Sequence, residues 1–134
     1  MKTRTVICAL LFLLCSTIAN AHNFEVDGIY YNITDAANRN VEVTYKGNSN
    51  YEYDEYQGNI RIPSTVVFNG ITYNVTGIGS YAFYGCLNLT EVTMPNSVKT
   101  IKYEAFAYCK NLKRITIPNS VTAIEACLSL IAKT

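Results

Sequence analysis

A repeat of 23 residues is the feature that most constrains the fold of this chain. Residues 82–101 and 105–124 align at this offset, and 11 of the 20 aligned positions are identical. Unrelated segments of this length would share roughly one residue. The change from Val92 to Ile115 keeps an apolar side chain, whereas polar positions vary freely in charge. Packing therefore restricts the residue type at the apolar positions and not at the polar ones, as expected where consecutive repeats stack on one another.

Two pieces of this repeat recur in fixed phase: Leu-x-x-(Val/Ile)-x-(Met/Ile)-Pro-Asn-Ser-Val-x-x-Ile and Ala-Phe-x-x-Cys. Together they resemble the BspA-like class of leucine-rich repeat. The resemblance covers residues 78–124, or 58–124 with an interrupted first copy. It implies an α/β repeat solenoid, β-rich overall, with a parallel sheet on its concave side and a short helical or irregular convex side. It also implies a secreted or surface-exposed adhesion protein, and no reaction.

Residues 1–21 have the pattern of a cleavable signal peptide. Lys2 and Arg4 precede the apolar stretch 6–14, which is too short to span a bilayer, and 19–21 is a small-x-small cleavage site. We expect cleavage after Ala21, which leaves 113 residues for one domain with a modest core. Lipidation at Cys15 is the alternative, but the large Leu14 before it disfavours this modification.

The segment 22–57 is predicted to be an N-terminal β cap that covers the first coil, as similar leader segments do in the family it resembles. Asp27-Gly28 is a two-residue turn signal, and it would place Val26 opposite Ile29 and Phe24 opposite Tyr31. A third strand is predicted over residues 41–45 from their strict alternation.

The repeats are predicted to span residues 58–124, with nine additional residues in the first copy. The insert, at about 66–75, contains Asn69-Gly70 between two apolar runs. This pattern predicts a hairpin that projects from the edge of the coil, with Phe68 facing Ile71 and Val66 facing Tyr73. For residues 125–134 two interpretations stay open. Apolar residues spaced by three and four favour a short helical cap, whereas loss of the repeat pattern favours a truncated repeat.

The sequence gives little support for catalysis, a metal or a cofactor. The only histidine, His22, would be the first residue after cleavage, where a solvated terminus is expected, so serine or cysteine catalysis with a histidine base is not expected. The carboxylates of residues 51–56 share one loop, which does not hold them across a cleft as a glycosidase requires. After cleavage the cysteines are Cys86, Cys109 and Cys127. The first two occupy equivalent positions and are expected to be buried thiols, although their redox state is left open by the sequence.

Two surfaces are candidates for binding. One is the outward side of the concave sheet, where period-two alternation places a ladder of six residues: Asn59, Arg61, Glu91, Thr93, Arg114 and Thr116. The other is an aromatic loop that contains Tyr51, Tyr53 and Tyr56. Either set could also be an ordinary solvated surface.

These features favour a non-enzymatic protein-interaction or adhesion module on or outside the cell. The alternatives are a carbohydrate-binding module that uses the exposed tyrosines, or a truncated fragment of a longer surface protein. The partner would be a host or cell-surface protein, or a glycan. The mature charge of about −1 gives no reason to expect nucleic acid, and no transmembrane segment is predicted.

Overall fold

The computed structural model describes residues 22–47 and 55–125. The predicted signal peptide with Cys15, the tyrosines Tyr51 and Tyr53, and Cys127 with the rest of segment 126–134 lie outside these residues. Within them the chain forms strands and turns without a helix. The strands are β1 (Phe24–Val26), β2 (Ile29–Asp35), β3 (Asn40–Thr44), β4 (Gly58–Arg61), β5 (Thr65–Phe68), β6 (Ile71–Ile78), β7 (Leu89–Thr93), β8 (Thr100–Ile101), β9 (Arg114–Thr116) and β10 (Ala123–Ile124).

One sheet contains three parallel strands in the order β4-β7-β9. Glu91 pairs with Arg114, one repeat later, and Asn59 pairs with Glu91. The second pairing spans one period plus the nine-residue insert, and the register shifts by one residue between Gly58 and Asn59. Val92 is fully buried between its neighbours Ile60 and Ile115. The parallel sheet predicted from the resemblance is therefore present.

The second sheet has seven strands and joins the repeats to the N-terminal segment. Its main path is β1-β2-β3-β6-β8-β10, and β5 pairs with β6. The strands β6, β8 and β10 are parallel, and they align Ile78, Ile101 and Ile124. On the other side β3 pairs with β6 in parallel, with Val43 opposite Ile78. The N-terminal strands thus extend the same hydrogen-bonded sheet that links the repeats.

The segments that lead from β6 to β7 and from β8 to β9 contain turns in place of a helix. Positive φ angles recur at Tyr81 (60°) and Glu104 (48°), and at Gly85 (66°) and Tyr108 (59°). These two pairs occupy equivalent positions in consecutive repeats. A left-handed residue every four positions stops a right-handed helix from propagating.

Both hairpins form at the turns that the sequence indicates. Asp27 and Asn69 have φ angles of 51° and 50°, and the following glycines are also positive, as a type I′ turn requires. Strand β1 pairs with β2 and β5 pairs with β6 in the expected registers. The second hairpin packs against the first. The ring of Phe68 stacks on Phe24 with centroids 4.5 Å apart, which buries apolar surface of both hairpins.

The core is continuous from the N-terminal strands into the second repeat. Phe83 stacks on its equivalent Phe106, with ring centroids 4.9 Å apart and an angle of 6° between the planes. Cys86 and Cys109 are buried thiols, as predicted. Burial raises the pKa of Cys109 to about 12, and burial together with the nearby Asp27 charge raises the pKa of Tyr31 to about 12.

These shifts predict a loss of stability at alkaline pH. The pKa values of Tyr31 and Cys109 are higher in the folded state than the ordinary values of 10.0 and 9.0. The unfolded chain therefore releases these protons first, so the contribution is present below pH 9 and is lost as the pH rises towards 12. Each group should lower the free energy of unfolding by about 1.4 kcal/mol per pH unit between its two pKa values.

Urea unfolding at a series of pH values measures this effect. The free energy of unfolding should fall less steeply with pH in both variants. Tyr31→Phe should remove the contribution of one proton to this slope above pH 10, and Cys109→Ala should remove that of one proton above pH 9. A free energy of unfolding that stays constant from pH 9 to 12 would contradict the assignment.

Candidate functional site

The six ladder residues form two rows across the β4-β7-β9 sheet. Backbone pairing aligns the members of each row, and adjacent parallel strands are about 4.8 Å apart. Side chains two positions apart along a strand share a face, so the rows lie side by side. One row is Asn59, Glu91 and Arg114, and the other is Arg61, Thr93 and Thr116.

Local contacts order the first row more than the second. Arg114 Nη1 lies 3.5 Å from Glu91 Oε1, and Thr90 Oγ1 donates a hydrogen bond of 2.7 Å to Asn59 Oδ1. The Arg114 side chain is 72% exposed, so this ion pair contributes little to folding, about 0–1 kcal/mol. The ladder is a polar surface of mixed charge whose spacing is set by the backbone.

A cleft that the sequence did not reveal adjoins this ladder. It has a volume of about 400 Å³ and is formed where the first hairpin meets the chain that leaves β4. Arg61 and Asp27 both line it, and no ion pair joins them among the residues described. Its other lining residues are largely apolar: Val26, Ile29, Tyr31, Pro63, Thr65, Val66 and Val67. Predicting it would have required the packing of two hairpins separated by about 40 residues of sequence.

The expectation that Tyr56 presents an exposed ring is wrong. Tyr56 is 1% exposed, and its ring packs against Phe83 with centroids 4.7 Å apart. Its hydroxyl donates a hydrogen bond of 2.6 Å to Thr44 O and accepts one of 3.1 Å from Tyr30 N. These long-range partners draw the ring into the junction between β2, β3 and the first repeat.

The part of the chain that the structure describes holds no cluster of three histidine, cysteine or acidic side chains able to share a metal. His22 Nδ1 donates a hydrogen bond of 2.8 Å to Lys46 O, so this nitrogen carries the proton. None of the described segments forms a helix long and apolar enough to cross a membrane.

Comparison with known proteins identifies the repeat. Residues 63–128 match the family model of the BspA type leucine-rich repeat region, which is described as having six copies. The chain carries a BspA-type leucine-rich repeat region. Proteins of this repeat class generally use their stacked surface to bind other proteins. No curated protein matches the chain.

Solved leucine-rich repeat proteins share the fold. One from Bacteroides ovatus is 34% identical with a TM-score of 0.63, and the match covers 75% of this chain but 25% of that protein. One from Bacteroides capillosus is 28% identical with a TM-score of 0.60, and the match covers 75% of this chain and 69% of that protein. The leucine-rich repeat protein of T. pallidum is 25% identical with a TM-score of 0.57 over 75% of this chain and 42% of that protein. The chain thus spans a quarter of the B. ovatus protein.

The Tyr56 hydroxyl should contribute measurably to the stability of this leucine-rich repeat protein. Tyr56→Phe removes one oxygen and leaves Tyr30 N–H and Thr44 C=O without that partner in a buried site. We expect a loss of about 1–3 kcal/mol in the free energy of unfolding, measured by urea denaturation. Tyr108→Phe removes the same atom from a half-exposed ring and should have almost no effect. Equal effects of the two substitutions would contradict the role given to Tyr56.

Proposed function

We propose that this chain is a secreted or cell-surface module for protein–protein interaction in adhesion, and that the polar ladder is its contact surface. The observation that carries the proposal is the arrangement of the ladder. Backbone pairing sets the spacing of its six outward residues, while the inward residues of the same strands contribute to the core. Partner recognition can therefore vary on this face without a change in the fold.

The adjoining cleft supports this assignment. A three-strand sheet is roughly 15 Å wide, which is less than a protein interface of standard size requires. The cleft extends the surface on the side of Arg61 and adds apolar walls, including Val67, which is 59% exposed. A polar ladder beside an apolar recess matches the usual anatomy of an interface, in which buried anchors are surrounded by polar contacts.

Location outside the cytoplasm rests on the pattern of residues 1–21. The basic start, the short apolar stretch and the cleavage site at Ala21 are together typical of a secretory signal. The segment 22–57 is proposed to cap the first coil, since β3 supplies a paired edge for β6. The end of the chain after Glu125 carries no functional assignment.

The proposal predicts that ladder substitutions reduce binding and leave folding intact. Arg61→Ala, Glu91→Ala and Arg114→Ala should each change the free energy of unfolding by about 0.5 kcal/mol or less, because the side chains are on the surface. Combined, they should lower the affinity for a partner by roughly tenfold or more. The measurement is surface plasmon resonance of residues 22–134 against purified extracellular-matrix and cell-surface proteins.

A charge-matched control separates the ladder from a general charge effect. Combined, Lys46→Ala, Lys99→Ala and Glu25→Ala remove two cations and one anion, as the triple ladder variant does, from exposed positions outside the ladder sheet. This control variant should bind as the original chain does. If a partner is found and the triple ladder variant binds it with unchanged affinity, the ladder is not the contact surface. If no protein in the panel binds, the proposed class of partner is wrong.

A further inference from the structure

A second recess lies on the turns between the two sheets, away from the ladder. Its volume is about 440 Å³, within the range of about 300–1,000 Å³ that is usual for ligand sites. It belongs to the turns that follow β6 and β8. Its lining residues are Tyr84, Gly85, Leu87, Tyr108 and Lys110.

Tyr108 occupies this recess in an unfavourable backbone conformation. Its φ angle is 59°, and the equivalent position one repeat earlier is Gly85, with a φ angle of 66°. Glycine adopts this conformation without cost, whereas a bulky residue rarely does. Burial does not compensate for the cost, because the Tyr108 side chain is 51% exposed. Tyr81 and Glu104 hold the same conformation at the other turn position, so the conformation belongs to the turn. What distinguishes Tyr108 is an exposed aromatic ring at a position where the repeat also accepts glycine.

The Tyr108 ring has a defined orientation. It meets the Tyr84 ring edge to face, with centroids 5.2 Å apart and an angle of 68° between the planes. Tyr84 in turn makes an edge-to-face contact with Tyr81 at 5.5 Å. Leu87, which is 40% exposed, adds an apolar wall to the same recess. An exposed aromatic face held in place in this way is a platform for an apolar or weakly positive C–H surface.

The charge of the recess restricts the ligand further. Lys110 is the one charged side chain among the residues that line it, and no carboxylate does. The backbone N–H of Lys110 donates a hydrogen bond of 3.0 Å to Tyr108 O, so a tight turn joins the lysine to the ring-bearing residue. A lysine that lines the same recess as an aromatic platform suits a ligand that combines an anion with a ring of C–H groups.

We propose that this recess binds an acidic saccharide. The C–H face of a uronate ring would lie on Tyr108, and its carboxylate would be paired with Lys110. This site is independent of the protein-binding ladder, since it lies on the turns and shares no residue with β4, β7 or β9. Its chemistry differs as well, because the ladder carries charges of both signs.

The test uses residues 22–134 and measures how the Tyr108 ring and the Lys110 charge each affect saccharide binding. Urea unfolding measures the effect on stability separately. Isothermal titration measures binding of a trigalacturonate, with a neutral galacto-oligosaccharide and an oligoglutamate peptide as alternative probes. Tyr108→Gly restores the residue found one repeat earlier, so urea unfolding should show equal or greater stability. Its affinity for trigalacturonate should nevertheless fall by about tenfold or more. Tyr108→Phe keeps the ring and should retain most of the binding.

Lys110→Gln should weaken trigalacturonate binding and remove part of its salt dependence, whereas Lys113→Gln, outside the recess, should leave both unchanged. The proposal is overturned if trigalacturonate does not bind, or if it binds equally well to Tyr108→Gly. It is also overturned if Tyr108→Gly is less stable with unchanged binding, since the ring would then be structural. Binding of the oligoglutamate peptide in place of the saccharide would assign the recess to an acidic peptide.

Discussion

Parallel hydrogen bonding between equivalent positions of consecutive coils is the constraint on which the structure depends. It places each inward residue directly on its counterpart, as with Ile78 on Ile101 and Phe83 on Phe106. A side chain is buried only when a neighbour covers it: Ile101 is 1% exposed between its two partners, whereas Ile124, which has one described partner, is 47% exposed. The stack therefore needs a neighbour for each coil.

The N-terminal strands provide that neighbour for the first coil. Pairing of β3 with β6 brings the two backbones so close that glycine is required at Gly79, where a Cβ atom would lie 2.9 Å from Val43 O. On the side of β8, a Cβ atom on Gly77 would lie 2.8 Å from the side-chain atom Thr100 Oγ1. Glu42 lies over this strand and reaches Lys102, with Oε2 and Nζ 2.8 Å apart. The junction thus joins three segments through backbone and charge together.

The fold was accessible from the sequence wherever the signal was local or periodic. Asp27-Gly28 indicated its hairpin register, and the repeat indicated the two rows of the ladder. Features that depend on distant partners were missed. Tyr56 lies beside an acidic loop and looks exposed, yet its hydroxyl bonds to Tyr30 and Thr44 from other strands. The cleft at Arg61 likewise depends on two hairpins that only tertiary packing brings together.

The two candidate surfaces use the repeat in different ways. On the ladder, the side chains point away from the core and the backbone is an ordinary strand. Equivalent positions can therefore carry opposite charges, as Glu91 and Arg114 do, without structural cost. On the turns, the backbone itself is constrained, and the left-handed position accepts Gly85 more readily than Tyr108. A tyrosine kept half-exposed at such a position opposes the local preference of the chain. A change of side chain is thus structurally neutral on the sheet. On the turn, a residue other than glycine is opposed by the same left-handed backbone geometry that interrupts helix formation between the strands.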